Sequence, residues 1–309
     1  ESQKPVLKML IETLQKEFNY VSILGVDTIG TRYGVGRKTS IANDSDWKER
    51  GFVVRVFNGI NYSEYSFNSL EHMQHIINRI REIAHTDIAL LHAKGITLME
   101  FPLIEEKPLI DEFYSEFEID PFTISAEEKL QKMTDIMNVG LSKSERFIDF
   151  RVSFEEVKIS KVFLSTKKEL SQAILYTNMS LVAIGRGDTG MKYDFDGFSG
   201  LTGFEIFETA YGKIDGVAQS VIDLFKSTHI TPGEYEIICD PKVSGLIAHE
   251  AFGHGVEMDM FVKNRAKGVE YMNKQIAGDK VNMRDGAQSE VEVGTYLFDD
   301  EGTLGTDTL

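Results

Sequence analysis

The chain has 309 residues, 42% of them hydrophobic and 27% charged, which is typical of a folded globular protein and excludes disorder as the default. Its formal net charge of -16 gives an acidic surface that repels nucleic-acid phosphates, so we expect no direct binding to nucleic acid. No apolar run reaches the roughly 20 residues of a membrane span, and the single cysteine, Cys239, excludes an internal disulfide; together these predict a cytoplasmic protein without a membrane segment.

Helical and strand patterns alternate in the first part of the chain. Apolar residues at helical spacing predict an opening amphipathic helix over 6–18. Alternating and β-branched residues predict three strands, over 20–26, 51–57 and 62–67. The glycine-rich run 28–38 is expected to be a hairpin between curved strands, and Asn58-Gly59 a tight turn. Ser69 is expected to cap a helix that runs to Ala84.

The middle of the chain shows a similar order of helix and strands. Ser125-Ala126-Glu127-Glu128 is a capping box and predicts a helix through about residue 137. Residues rich in aromatic and β-branched side chains predict strands over 147–154, 157–164 and 174–184. The glycine-dense run 185–203 is expected to be a long connector, although such a run can also line a binding site. A helix over 207–226 follows.

These elements predict an α+β fold with flanking helices, and a metal motif on a helix that follows a strand. They divide the chain into an N-terminal α+β region (1–110), a middle α+β region (111–228) and a metal-motif region (229–309). In the last region we expect a strand over 234–240, a strand over 289–298 and a turn over 299–303.

A group of metal-ligand residue types lies in the helical segment that follows the predicted strand 234–240. His249, Glu250 and His254 form the pattern H-E-x-x-x-H, and Ser244 is a plausible cap for their helix. Neutral imidazoles are zinc ligands, and a glutamate directly after a ligand can take a proton from a water molecule that zinc activates. The residue types therefore predict a hydrolytic zinc site with Glu250 as the general base.

The spacing of the two histidines requires a departure from a regular helix. Residues five apart lie about 140° apart around an α-helix, too far for two nitrogens that each approach one zinc ion to about 2.1 Å. One solution is a π-type bulge near Gly253, which brings the two side chains back to one face. The other is a helix that ends at Gly253, with His254 folding back from a loop.

The longer string H-E-A-F-G-H-G-x-E, with Asp259 two residues later and D-D-E-G-T over 299–303, resembles the TldD branch of the TldD/PmbA family. These are zinc metallopeptidases once labelled modulators of DNA gyrase. The resemblance implies that His249 and His254 are zinc ligands, that Glu250 is the catalytic base, and that peptides or unfolded segments are the substrates. It also implies an α+β fold with curved, mainly antiparallel sheets. The expected assembly is a homodimer, or a heterodimer with a paralogue that lacks the motif.

The sequence departs from this family at the third zinc ligand. The family uses a cysteine downstream of D-D-E-G-T, and this chain has none there. Cys239, ten residues before His249, is expected to be an ordinary buried cysteine, which leaves Glu257 or Asp259 as substitute oxygen ligands. We therefore expect a truncated chain that is inactive or impaired as a peptidase. The alternative function is a non-catalytic scaffold or peptide-binding subunit with a vestigial metal motif.

Overall fold

The structure, a computed structural model, describes residues 2–93, 100–288 and 293–308, with the backbone alone over 87–92. The strands are β1 (Val21–Gly36), β2 (Thr39–Asp44), β3 (Glu49–Phe57), β4 (Tyr62–Phe67), β5 (Leu109–Tyr114), β6 (Phe147–Ser165), β7 (Lys168–Gly187) and β8 (Gly190–Gly200). The helices are α1 (Lys4–Leu14), α2 (Met73–Ala93), α3 (Ala126–Ser142), α4 (Ile206–Leu224), α5 (Pro241–Ala251), α6 (Met258–Val262) and α7 (Gly268–Tyr271).

The eight strands form one sheet in which three long strands serve both halves. Its order is β4-β3-β1-β6-β7-β5, with β2 beside β1 and β8 beside β7. Residues 21–28 of β1 pair with β3, and residues 31–36 pair with β2. Likewise, β7 pairs first with β5 and later with β8. Among the strands that the structure describes, only the β5–β7 pair is parallel, so the prediction of a mainly antiparallel α+β fold with flanking helices is confirmed.

Four helices cover one face of this sheet in two hydrophobic clusters. Side chains alternate between the two faces along a strand, so odd-numbered residues of β1, such as Ile23 and Val35, point to the same face. Ile23 packs in a cluster with α1 and α2, whereas Val35 packs in a cluster with α3 and α4. The long strands therefore connect two helix-covered cores. The pairing of β1 with β6 joins the predicted N-terminal region (1–110) to the predicted middle region (111–228). The three-region division itself stays a prediction.

The opposite face of the sheet carries the end of the chain. Phe163 of β6 and Leu170 of β7 point away from the helices and pack against Phe298, which is fully buried. The side chain of Gln172 accepts hydrogen bonds from the backbone N–H groups of Leu297 and Phe298, at 2.9 and 3.2 Å. The segment 296–308, which follows the metal motif, is thus attached to the sheet.

Two predicted elements in the middle of the chain differ from the structure. The strands predicted over 147–154 and 157–164 are one strand, β6. Residues 154–157 are all buried and so do not alternate in polarity, which hides the continuity of this strand in the sequence. The run 185–203, expected to be a connector, is mostly strand β8, because its glycines still allow ladder pairing with β7. The predicted helix cap at Ser125 is confirmed: its Oγ accepts from the N–H of Glu128.

No helix in the described part of the chain is both long enough and apolar enough to cross a membrane.

A buried ion pair lies between α3 and β6. Lys129 and Glu156 are 2% and 1% exposed, and Lys129 Nζ lies 2.6 Å from Glu156 Oε1. Tyr33 donates a hydrogen bond to the same carboxylate and accepts one from Lys129. Burial raises the pKa of Glu156, although Lys129 opposes the shift. Because the folded pKa is the higher one, this carboxyl contributes stability at low pH and loses that contribution as pH rises through the folded pKa.

Replacing Lys129 by Met should lower the free energy of unfolding at pH 7 by about 3–5 kcal/mol, because it leaves a buried carboxylate without its cation. The double variant Lys129→Met/Glu156→Leu should recover most of that loss, since it removes both charges. Urea denaturation measures both. Lys143→Met, which removes a surface pair with Asp215 from the end of the same helix, is the control. Equal effects of Lys129→Met and Lys143→Met would contradict the prediction.

A second carboxylate joins the segment before α3 to the start of α4. Glu205 accepts hydrogen bonds from the N–H groups of Glu118, Ile119 and Gly203 and from the hydroxyl of Thr202, at 2.6–3.1 Å. Burial alone would raise the pKa of Glu205, but these donors outweigh it and lower the pKa from 4.5 to about 2. The folded pKa is below the unfolded one, so the stabilisation is present above pH 4.5 and is lost as pH falls toward 2.

Glu205→Gln should therefore reduce the free energy of unfolding at neutral pH by about 1–3 kcal/mol, because an amide offers one acceptor oxygen in place of two. The difference between variant and wild type should shrink as pH falls from about 5 to about 2. Guanidinium denaturation across this pH range measures it. Glu208→Gln, at an exposed position in the first turn of the same helix, should show no such pH dependence. A difference for Glu205→Gln that stays constant with pH would refute the linkage.

Candidate metal centre

Helix α5, which carries the first half of the motif, begins at a proline. Asp240 is its N-cap, and the carboxylate accepts from the N–H of Val243 at 2.8 Å. Pro241 follows the cap, at a position where the missing N–H costs nothing and the fixed φ suits the first helical turn. The prediction that Ser244 caps the helix is wrong, because the stronger cap lies four residues earlier.

The predicted strand over 234–240 is absent. These residues pair with no strand in the described part of the chain, and Ile237 and Ile238 are exposed to solvent. Their alternation is typical of a strand, but a strand also needs a neighbouring backbone, and local sequence does not supply one. Cys239 is partly exposed, not buried as expected, and it is not among the residues that the structure brings together at the motif.

The helix ends between the two histidines. Ala251 is its last residue, and Phe252, with φ -141° and ψ -27°, breaks the helical path. A 3-10 turn over Gly253–Val256 then carries His254. The predicted π-type bulge is therefore wrong, and the alternative, a helix that ends before His254, is close to the structure. Gly253 is not what allows the break: a side chain there would meet nothing closer than 3.7 Å.

This break brings the three motif side chains together. Ligand atoms of His249, Glu250 and His254 all lie within 4.8 Å of one another. The two imidazole rings are edge to face, with centroids 4.5 Å apart and planes at 70°. His254 Nε2 lies 3.9 Å from Glu250 Oε2, and these two side chains are 47% and 63% exposed. The group is thus an open surface site whose donors are two imidazoles and one carboxylate.

The two suggested substitute ligands lie outside this group. Glu257 instead contacts the other nitrogen of His254: its Oε1 is 2.9 Å from Nδ1. Asp259 pairs with Lys263 at 2.5 Å. A hydrogen bond from that ammonium group lowers the pKa of Asp259. Both carboxylates therefore already have partners other than a metal.

The donor set fits a zinc ion. Imidazole nitrogen is a preferred zinc ligand, and two nitrogens that each lie about 2.1 Å from one ion are at most about 4.2 Å apart. The observed grouping of the three side chains within 4.8 Å approaches that limit, and exposed side chains can make the remaining adjustment by rotation. His249 and His254 are the residues that would hold the ion.

One carboxylate connects the motif helix to the sheet. Asp196 of β8 accepts from Lys213 of α4 and from Lys242 of α5, each at 2.6 Å. Burial alone would raise the pKa of Asp196, but the two ammonium groups outweigh it and lower the pKa. The sequence pattern did not reveal this contact, because Asp196 and Lys242 are 46 residues apart and neither belongs to a motif.

The D-D-E-G-T segment forms a turn that is attached to the far face of the sheet. The carboxylate of Asp299 closes the turn by accepting from the N–H groups of Glu301 and Thr303, at 2.8 and 2.9 Å. Three basic side chains hold it. They are Lys161 on Asp300 at 2.5 Å, Arg55 on Glu301 at 2.6 Å, and Lys168 on the Gly302 carbonyl at 2.7 Å. The predicted turn is confirmed, whereas residues 293–298 form no strand and residues 289–292 lie outside the described part.

The fold and the site define an α+β protein with an exposed His–Glu–His group at a helix end, and comparisons with known proteins agree with the resemblance predicted from the sequence. Residues 232–308 match the family model of the PmbA/TldA metallopeptidase C-terminal domain. Over these residues the chain is similar to a domain of the PmbA/TldD family.

Two curated relatives have names that fit this family. A metalloprotease of Methanocaldococcus jannaschii is 24% identical over 267 residues, covering 84% of this chain and 56% of the relative. A zinc metalloprotease TldD homologue of Saccharolobus solfataricus is 24% identical over 164 residues, covering 49% of this chain and 34% of the relative. The chain spans about half the length of the first of these relatives and a third of the second.

Solved structures share the fold at low sequence identity. A candidate modulator of DNA gyrase from Thermotoga maritima aligns with a TM-score of 0.75 and 14% identity, over 99% of this chain and 67% of its own. TldE from Thermococcus kodakarensis aligns with a TM-score of 0.66 and 13% identity, over 98% of this chain and 66% of its own. These matches support the observed α+β architecture.

Gly302→Ala should release the D-D-E-G-T turn from the sheet. Gly302 has φ +70°, and a side chain there would overlap the ring of Phe163. We expect a loss of about 2–4 kcal/mol in the free energy of unfolding and faster hydrogen exchange at the N–H of Thr303. Gly278→Ala, where a side chain meets nothing within 4 Å, is the control. The attachment would be disproved by equal stability and exchange in the two variants.

Proposed function

We propose that this chain is the motif-bearing part of a zinc-dependent peptidase that hydrolyses peptides or unfolded segments. The observation that carries this proposal is the convergence of His249, Glu250 and His254 within 4.8 Å at the end of α5. The names of the metalloprotease relatives support it. In this proposal His249 and His254 hold the metal, and Glu250 is the general base.

The roles of the residues follow from their chemistry. Zinc, when bound, polarises a peptide carbonyl and lowers the pKa of water to about 7. Glu250 directly follows His249 in sequence, and its carboxylate lies 3.9 Å from His254 Nε2. In this position Glu250 accepts the proton of the attacking water and delivers it to the leaving amine. The 63% exposure of Glu250 leaves it open to water and to an extended peptide.

The number of ligands limits the activity that we expect. Catalytic zinc sites usually have three protein ligands. The described residues bring together two imidazoles and the proposed base, while Cys239 and Asp259 stay outside the group. We propose that the 309-residue chain holds zinc weakly and cleaves peptides slowly, at a rate that mass spectrometry can still detect. The same observation favours the second candidate function, a non-catalytic scaffold or peptide-binding subunit with a vestigial metal motif.

We also propose a cellular location and an assembly for this chain. We infer a cytoplasmic location from the single cysteine, Cys239, which suits a reducing compartment. We further propose a homodimer, or a heterodimer with a paralogue that lacks the motif. The fold shared with TldE supports a related partner, since two chains of one fold can assemble through equivalent surfaces.

The variant Glu250→Gln distinguishes the peptidase function from the scaffold function. If Glu250 is the base, this variant should bind zinc within about threefold of wild type and lose at least about 100-fold in peptide hydrolysis. His249→Ala and His254→Ala should each lose zinc, whereas His229→Ala, in the loop after α4, should keep it. Chelator competition measures the metal, and mass spectrometry of an unstructured peptide pool measures cleavage. Stoichiometric zinc on both histidines without any cleavage would favour the scaffold.

A further inference from the structure

The turn that carries His254 also places a carboxylate behind its ring. Glu257 follows His254 by three residues, at the end of the 3-10 turn Gly253–Val256. In a 3-10 helix with three residues per turn, side chains at i and i+3 lie over each other. Glu257 Oε1 accordingly lies 2.9 Å from His254 Nδ1. This contact is local, and it lies on the side of the ring away from Glu250.

The two nitrogens of His254 therefore face different groups. In a neutral imidazole one nitrogen carries the proton and the other carries the lone pair. A carboxylate can only accept a hydrogen bond, so Glu257 favours the tautomer in which Nδ1 carries the proton. The lone pair is then on Nε2, which is the nitrogen that lies 3.9 Å from Glu250 Oε2.

We propose that Glu257 is a positioning residue that fixes the tautomer and orientation of His254, so that Nε2 is the nitrogen presented to the metal. This inference rests on the proposed zinc site. Carboxylates behind metal-binding imidazoles characteristically set the ring in this way and raise its basicity as a ligand. The effect acts through geometry more than charge, because Glu257 is 44% exposed and water screens its field.

The backbone of the turn between His254 and Glu257 packs against a neighbouring helix. The fold therefore helps to set the orientation of these two side chains. Gly268, at the start of α7, packs against the turn: a side chain there would lie 3.1 Å from the carbonyl oxygen of Gly255 and 3.2 Å from Val256. Glu257 itself is the N-cap residue of α6, but its side chain makes no capping hydrogen bond and contacts His254 instead. The turn thus presents Glu257 to the ring and not to the next helix.

The test compares Glu257→Ala, Glu257→Gln and the control Glu270→Ala. Glu270 also pairs at i,i+3 spacing, with Lys267 at 2.9 Å, but it contacts no histidine of the site. Chelator competition gives the zinc dissociation constant. Nitrogen-15 NMR of the metal-free protein, at a pH where the imidazole is neutral, gives the tautomer of His254. Circular dichroism checks that each variant is folded.

We expect Glu257→Ala to weaken zinc binding about 10–100-fold and to reduce the population of the Nδ1-protonated tautomer. Glu257→Gln should keep most of the affinity because its amide oxygen still accepts from Nδ1. Glu270→Ala should change neither measurement. Unchanged zinc affinity and tautomer in Glu257→Ala would overturn the inference. It would also be overturned if absorption of the cobalt-substituted protein showed Glu257 as a direct ligand.

Different results would refute the zinc site and the positioning role of Glu257. Wild-type protein that binds no zinc would refute the site, and the tautomer of His254 would still decide whether Glu257 orients the ring. Zinc bound with equal affinity by wild type and Glu257→Ala would keep the site and refute the positioning role.

Discussion

Two histidines five residues apart cannot face one ion from a regular α-helix, since they lie about 140° apart around its axis. The chain meets this constraint by ending α5 at Ala251 and placing His254 in a 3-10 turn. The break costs little, because the lost helical hydrogen bonds fall at an exposed helix end where water can replace them. The same turn sets the direction of Glu257, so one local change of backbone determines both the grouping of the motif and the hydrogen bond behind it.

The motif region is linked to the sheet at two separate places. Asp196 joins the first turn of α5 to β8 and α4, and the D-D-E-G-T turn joins the end of the chain to the other face. Most of these links are ion pairs with exposed partners, each of which contributes at most about 1 kcal/mol. Burial of Phe298 against Phe163 and Leu170 contributes more to the stability of this attachment than the ion pairs do. The region is therefore attached through few contacts, and its own residues are largely exposed.

The features that could be predicted from sequence are those whose determining interactions are local. The cap at Ser125, the turn at Asn58-Gly59 and the grouping of motif residues depend on neighbours within a few positions. Prediction failed over 234–240, where an apolar alternation finds no partner strand among the described residues, and over 185–203, where pairing with β7 decides the structure. The Asp196–Lys242 contact was also missed. Strand pairing and ion pairs between distant residues depend on the fold, and the local pattern of a single sequence carries no signal for them.

Solvent exposure and ligand number point to the same requirement for catalysis. In bulk water two unit charges about 4 Å apart interact by only about 1 kcal/mol, and an enclosed site of lower dielectric strengthens every such interaction. The described motif side chains are about half exposed, and they offer two imidazoles where a catalytic zinc usually has three protein ligands. A further polypeptide surface over the group would supply both missing properties, a third donor and exclusion of water. The proposed hydrolysis therefore depends on protein beyond the described motif, whether it comes from a partner chain or from elsewhere in the same protein.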